Sequence, residues 1–176
     1  PALPLVQSYL FDLMAEAAAI GVDELQLDYV RFPTVGDHGA LTLPTLAGPS
    51  RADVITDFVL QASAVAKAHG VQTSADVCGI AAWAHDEDSR RTGQDLQRLL
   101  PHLDVVSPML YPSHFSSGFG QIEDLSRRPF ELVYQGCVRL SDAAAEHNVR
   151  VRPWIQAFPW KVANYSALYV ADQLRA

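Results

Sequence analysis

Cysteine is scarce: Cys78 and Cys137 are the only two in 176 residues, and their spacing fits neither a zinc ribbon nor a redox pair. Both can simply be buried, and the sequence gives no support for a disulfide between them. No apolar run approaches the roughly 20 residues needed to cross a bilayer. No basic stretch followed by an apolar core opens the chain, so the segment carries no visible targeting address. Basic residues are outnumbered, 13 Lys and Arg against 20 Asp and Glu, for a net charge of -7 and a pI near 5.2. A nucleic-acid surface needs a basic face, so nucleic acid is not expected as a partner; neutral or basic partners fit better. Metal-ligand spacing is lacking too. His85-Asp86-Glu87-Asp88 reads as a solvated loop or helix start, and neither a metal nor a cofactor is expected.

What the sequence does have is one apolar run with a carboxylate set into it: Leu25-Gln26-Leu27-Asp28-Tyr29-Val30-Arg31-Phe32-Pro33. Gly21 precedes it and Pro33 cannot extend a central ladder, so the run reads as a strand with Asp28 near its C-terminal end. Alternation places Gln26 and Asp28 on one face and Leu25, Leu27 and Tyr29 on the other. A carboxylate in such a pattern needs a partner, and Arg31 is the nearest candidate to hold Asp28 ionised. The segment is then either a structural Asp–Arg pair at a strand end or the delivery of a catalytic Asp.

The chain repeats this theme. Leu5, Val6, Tyr9, Leu10, Leu13, Met14 and Ala17 recur at helical spacing before Gly21, which suits a left-handed cap. Residues 34–49 form a Gly, Pro and Thr rich loop, longer than most connections and therefore expected to be functional. Ser50 and Asp53 have capping-box spacing ahead of a second helix carrying Val54, Ile55, Phe58, Val59, Ala62, Val65 and Ala66. A second strand, Val71 to Gly79, again holds an Asp, Asp76, near its end. Leu96, Leu99 and Leu100 mark a short helix. Leu103 to Pro112 is a third strand, and a long loop follows it to Arg128. Pro129 opens a helix whose expected buried stripe is Phe130, Val133, Tyr134, Cys137 and Val138. Val149 to Phe158 is the fourth strand, and a last helix runs from Tyr165 to Arg175.

Helix and strand alternate four times, which implies an α/β fold with a parallel sheet. A doubly wound sheet would show a glycine-rich phosphate turn after a strand, and none is present. A (β/α)8 barrel places its chemistry at the C-terminal ends of several strands, where Asp28, Asp76, Tyr111 and Trp154 fall. Such a barrel takes about 250 residues. The chain therefore reads as a single partial TIM barrel over residues 1–176, with open sheet edges that would favour poor solubility or association.

Four segments together resemble one bacterial family of glycoside-hydrolase-like domains: Asp28-Tyr29-Val30-Arg31-Phe32-Pro33, Ser74-Ala75-Asp76-Val77-Cys78-Gly79, Ser107-Pro108-Met109-Leu110-Tyr111-Pro112-Ser113-His114 and Arg152-Pro153-Trp154-Ile155-Gln156-Ala157-Phe158. The resemblance spans nearly the whole chain and departs at Cys78, where that family more often carries an aromatic residue. It implies a TIM barrel distantly similar to the α-amylase-type hydrolases. The four strands would be its fourth to seventh, with the first three and the eighth missing. It further implies a bacterial, secreted or cell-surface protein acting on a poly- or oligosaccharide.

Glycoside hydrolysis needs one carboxylate as nucleophile or base and a second, protonated, as acid. Asp28 beside Arg31 suits the first role; Asp76, between Ala75, Val77 and Cys78, suits the second. Neighbouring strands lie about 4.8 Å apart, near the roughly 5 to 5.5 Å of retaining enzymes, so retention is preferred. Substrate contact is expected of Arg31, Tyr111, His114, Arg152, Trp154 and Gln156. Against this stand loop packing for Tyr111 and His114, a core role for Trp154, and a carboxylate partner for Arg152. The alternative function is a non-catalytic carbohydrate-binding barrel, which has no need of two carboxylates at adjacent strand ends.

Overall fold

The computed structural model describes residues 2–33, 48–84, 86–125 and 127–176. The expected functional loop falls almost wholly outside them, as does His85. Helix α1 (Pro4–Ala19) starts on Pro4 and stops before Gly21, whose φ of 95° turns the chain into strand β1 (Glu24–Leu27). Helix α2 (Arg51–Ala68) opens on the full capping box: the Asp53 amide donates to Ser50 Oγ at 3.1 Å and the Ser50 amide to Asp53 Oδ2 at 2.7 Å. Strand β2 (Gln72–Cys78) runs into a 3-10 turn, Gly79–Trp83, and then helices α3 (Asp86–Thr92) and α4 (Leu96–Leu99). Strand β3 (Val105–Leu110) leads through short 3-10 turns to α5 (Pro129–Ala145). The chain continues through β4 (Arg150–Val151) and β5 (Trp154–Ile155) to α6 (Ala167–Leu174).

All pairings are parallel, in the order β1-β2-β3-β4, with β5 also on β3. This is the expected α/β architecture, a parallel sheet whose strands are joined through helices as in part of a TIM barrel. The expected fourth strand is real but split, because Arg152 and Pro153 interrupt it between two short pairings with β3.

The two faces of the sheet differ. Leu27, Ala75, Val77 and Val106 point toward the helices and pack with Ile55, Phe58 and Val59 of α2 and Leu140 and Ala144 of α5 in one core. The opposite face carries Gln26, Ser74, Asp76 and Ser107, as alternation requires.

Two helices present different faces from those expected. On α5, Phe130, Tyr134 and Val138 are exposed, and the buried stripe is Leu132, Val133, Gly136, Leu140 and Ala144. Gly136 sets the rotation: a Cβ there would lie 2.7 Å from a Leu110 methyl, so the helix reaches the sheet on its glycine side. On α1, Leu5, Tyr9 and Leu13 face outward, while Leu10, Phe11 and Met14 pack on the core.

Candidate active site

Strand β1 is shorter than the apolar run that encodes it. Tyr29 has φ 53°, and the Arg31 amide donates to the Tyr29 carbonyl at 2.7 Å, so the chain turns tightly just after Asp28. The turn carries Tyr29 off the apolar face, leaving it 69% exposed, while Val30 and Phe32 drop into the core. Asp28 thus stands at the mouth of the sheet, its Oδ1 accepting from the Tyr29 amide at 2.7 Å. The expected Asp28–Arg31 pair does not form. Arg31 Nη1 donates to the Phe32 carbonyl at 3.1 Å, and its guanidinium lies over the Tyr29 ring, 4.9 Å from the centroid. The turn bends Arg31 away from the carboxylate it was expected to serve.

The register places the two aspartates side by side. Leu27 pairs with Ala75, so the next residues along the neighbouring parallel strands are Asp28 and Asp76. Asp76 is buried, at 6% exposure, but not in apolar surroundings: Ala75 and Val77 point to the other face. Its Oδ1 accepts from Gln26 Nε2 at 2.6 Å and from Trp154 Nε1 at 2.9 Å, which leaves Oδ2 without a hydrogen bond among the described residues. Trp154, 46% exposed, therefore combines an open ring face with a positioning hydrogen bond. Tyr111 follows β3 toward the same point. Burial raises the pKa of its hydroxyl, and the Asp76 and Asp28 charges raise it further.

One residue that sequence reasoning missed fixes this arrangement. Gln94, 1% exposed, accepts from the Cys78 amide at 2.9 Å through Oε1. Its Nε2 donates to the carbonyls of Asp76 at 3.2 Å and Val30 at 3.4 Å. A single amide thus ties together the strand ends that bear both carboxylates. A lone Gln in a polar stretch has no periodic signature, and only the preceding Gly93, at φ 79°, marks the spot. Gly79, at the exit of β2, is equally constrained, since a Cβ there would run into the Met109 carbonyl oxygen.

The other expected contacts are spread out. Arg152 forms a two-pronged pair with Glu24, which also accepts from Ser74 Oγ; the arginine hydrogen bonds hold the Glu24 carboxyl below its ordinary range. Glu24 lies four residues before Asp28, on the same polar face but at the opposite, N-terminal end of β1, so Arg152 is tied to a carboxylate at the start of the strand and not at its end. Gln156 is fully buried. Its Oε1 accepts from the Ser113 amide at 3.0 Å, and its Nε2 donates to the carbonyls of Phe158 and Trp160, so it binds loops together and does not face the cleft. His114 packs against Tyr111, Phe158 and Trp160; burial and then the Lys161 charge lower its pKa. Arg31, Tyr111 and His114 do converge, together with Cys78, Met109 and Phe115, on a cavity of about 360 Å³ beside the aspartates. Both cysteines are free thiols, pushed up in pKa by burial.

No curated protein matches this sequence. Among solved structures, the chain is similar in fold to the PgaB (BpsB) glycoside hydrolase domain from Bordetella bronchiseptica, with a TM-score of 0.66 and 14% identity. The match covers 99% of this chain, which spans 55% of the length of that one. The family described as "Putative glycosyl hydrolase domain" matches residues 1–176, and the chain belongs to it.

Proposed function

We propose that the protein hydrolyses glycosidic bonds of a poly- or oligosaccharide through Asp28 and Asp76. The observation that supports this reading is the register of β1 on β2, whose last pair, Leu27 with Ala75, immediately precedes Asp28 and Asp76. Strand spacing of about 4.8 Å suits the roughly 5 to 5.5 Å separation of a retaining pair better than the wider gap of an inverting one. Asp28 is the nucleophile, exposed at the mouth with Oδ2 free of the Tyr29 amide bond. Asp76 is the acid, held by Gln26 and Trp154 so that Oδ2 can deliver a proton to the leaving oxygen. Trp154 offers its open face to a pyranose ring.

The test uses the full-length protein, screened first against a polysaccharide panel. Asp28→Asn should abolish turnover on every substrate, because no glycosyl intermediate can form. Asp76→Asn should spare aryl glycosides with good leaving groups far more than natural glycosides, and should erase the alkaline limb of the pH–rate profile. If turnover survives Asp28→Asn while Trp154→Ala abolishes sugar binding, the reading gives way to a carbohydrate-binding module.

A further inference from the structure

We propose that Arg31 makes the cavity beside the aspartates a subsite for a sugar unit bearing a carboxylate, so that the substrate is an anionic saccharide containing a hexuronate. The inference rests on the two-carboxylate reading and adds a specificity to it. Acids outnumber bases by 20 to 13 in the chain, yet the cavity wall carries Arg31 and, among its described residues, no acidic side chain. The wall itself thus carries a cation and no acid, with Asp28 and Asp76 close enough to act on Tyr111 from outside it.

The guanidinium is also largely unspent. Nη1 reaches the Phe32 carbonyl, Nε is buried without a hydrogen-bond partner, and no ion pair among the described residues includes Arg31. A half-buried cation in no ion pair among the described residues calls for an anion, and the expected intramolecular one, Asp28, is turned away. The group is also fixed in place: the γ-turn at Val30 and the stacking on Tyr29 restrict it before any ligand arrives. The Nη edge of its planar guanidinium offers further N–H donors to a carboxylate, in a geometry that neither an ammonium nor an amide matches. Cys78 does not supply the charge, since burial raises its thiol pKa and the Arg31 charge only partly offsets this. Tyr111, His114 and Phe115 give the rest of the cavity a hydroxyl and ring faces suited to a pyranose.

The full-length protein is titrated with matched methyl glucosides and glucuronosides and with glucose 6-sulfate. Turnover is followed in parallel on the 4-nitrophenyl glucosides and glucuronides. The expected result is about tenfold or more tighter binding of the glucuronoside than of the glucoside. The preference should be lost in Arg31→Gln and retained in part in Arg31→Lys. Ser116→Glu, which adds a carboxylate to the cavity wall without touching Arg31, should also remove it. Equal affinity for the neutral and acidic sugars, a preference for the sulfate, or a preference that survives both Arg31→Gln and Ser116→Glu overturns the inference. Cleavage of neutral glycosides in that case leaves the hydrolase reading standing. Arg31-dependent glucuronoside binding without turnover on any glycoside supports the subsite and overturns the hydrolase reading instead.

Discussion

Replacing Gln94 with Leu, close in volume but unable to hydrogen-bond, should both destabilise the fold and misplace its chemistry. The substitution deletes a 2.9 Å bond from the Cys78 amide and bonds of 3.2 and 3.4 Å to the Asp76 and Val30 carbonyls. Each net hydrogen bond is worth about 1 kcal/mol, and each buried group left without a partner costs about 1 to 3 kcal/mol. The longest of the three bonds contributes least. The Cys78 amide and the Asp76 carbonyl dominate, which gives about 3 kcal/mol in all. In a chain of this length that corresponds to a fall in Tm of roughly 6 to 12 °C, measured by thermal melt. A second effect should appear well below that Tm. If the amide sets the relative height of the two strand ends, turnover in the folded variant should fall by about 100-fold, the cost of a misplacement near 1 Å. Gln94→Glu should be worse than Gln94→Leu, since an oxygen would then face the Asp76 and Val30 carbonyls. A Gln94→Leu protein that melts within about 0.5 kcal/mol of the parent, a typical neutral surface value, would refute the clamp.

Trp154→Phe keeps a ring but removes the 2.9 Å bond to Asp76 Oδ1, and should lower kcat by about tenfold with little change in sugar binding, measured by steady-state kinetics beside a titration. Gly79→Ala drives a methyl against the Met109 carbonyl and should cost about 1 to 3 kcal/mol in a urea melt. Asp53 has its pKa lowered to about 2 by hydrogen bonds from Ser50 and then Arg98. Its contribution to α2 is therefore fully present above the ordinary carboxylate pKa and lost as the pH falls through the folded value. The Tm difference between the parent and Asp53→Ala should be constant from neutral pH down to about 5 and shrink on further acidification.

Much of the fold was legible because it is written in short-range patterns. The alternation of breakers and apolar runs located the strands and every helix but α3, whose Asp86–Thr92 stretch has no apolar period, and Ser50 and Asp53 announced the start of α2 three residues apart. Asp28 and Asp76 stood out as candidates because a carboxylate near the end of an apolar run is costly enough to need a reason. Other features depended on distant parts of the chain. The end of β1 at Leu27 follows from the left-handed turn at Tyr29, which no residue preference there requires. The face that α5 buries was decided by Gly136 meeting Leu110, where side-chain size overrides hydrophobicity. Glu24 found Arg152 across 128 positions, and Gln94 found two backbone groups of β2 and one in the turn after β1. Gln156 carries the residue type of a sugar-binding side chain, but its amide is consumed by the loops around it.

Because helices cover one side of the sheet and the polar row occupies the other, adjacent codons within a strand answer to different selection. Along β2, Ala75 and Val77 determine how much folded protein a cell accumulates, whereas Ser74, Asp76 and Cys78 between and beside them look onto the polar side. Tolerance to substitution should therefore alternate residue by residue. The outward positions should accept other apolar side chains of similar volume, and the inward ones should answer to the proposed substrate site.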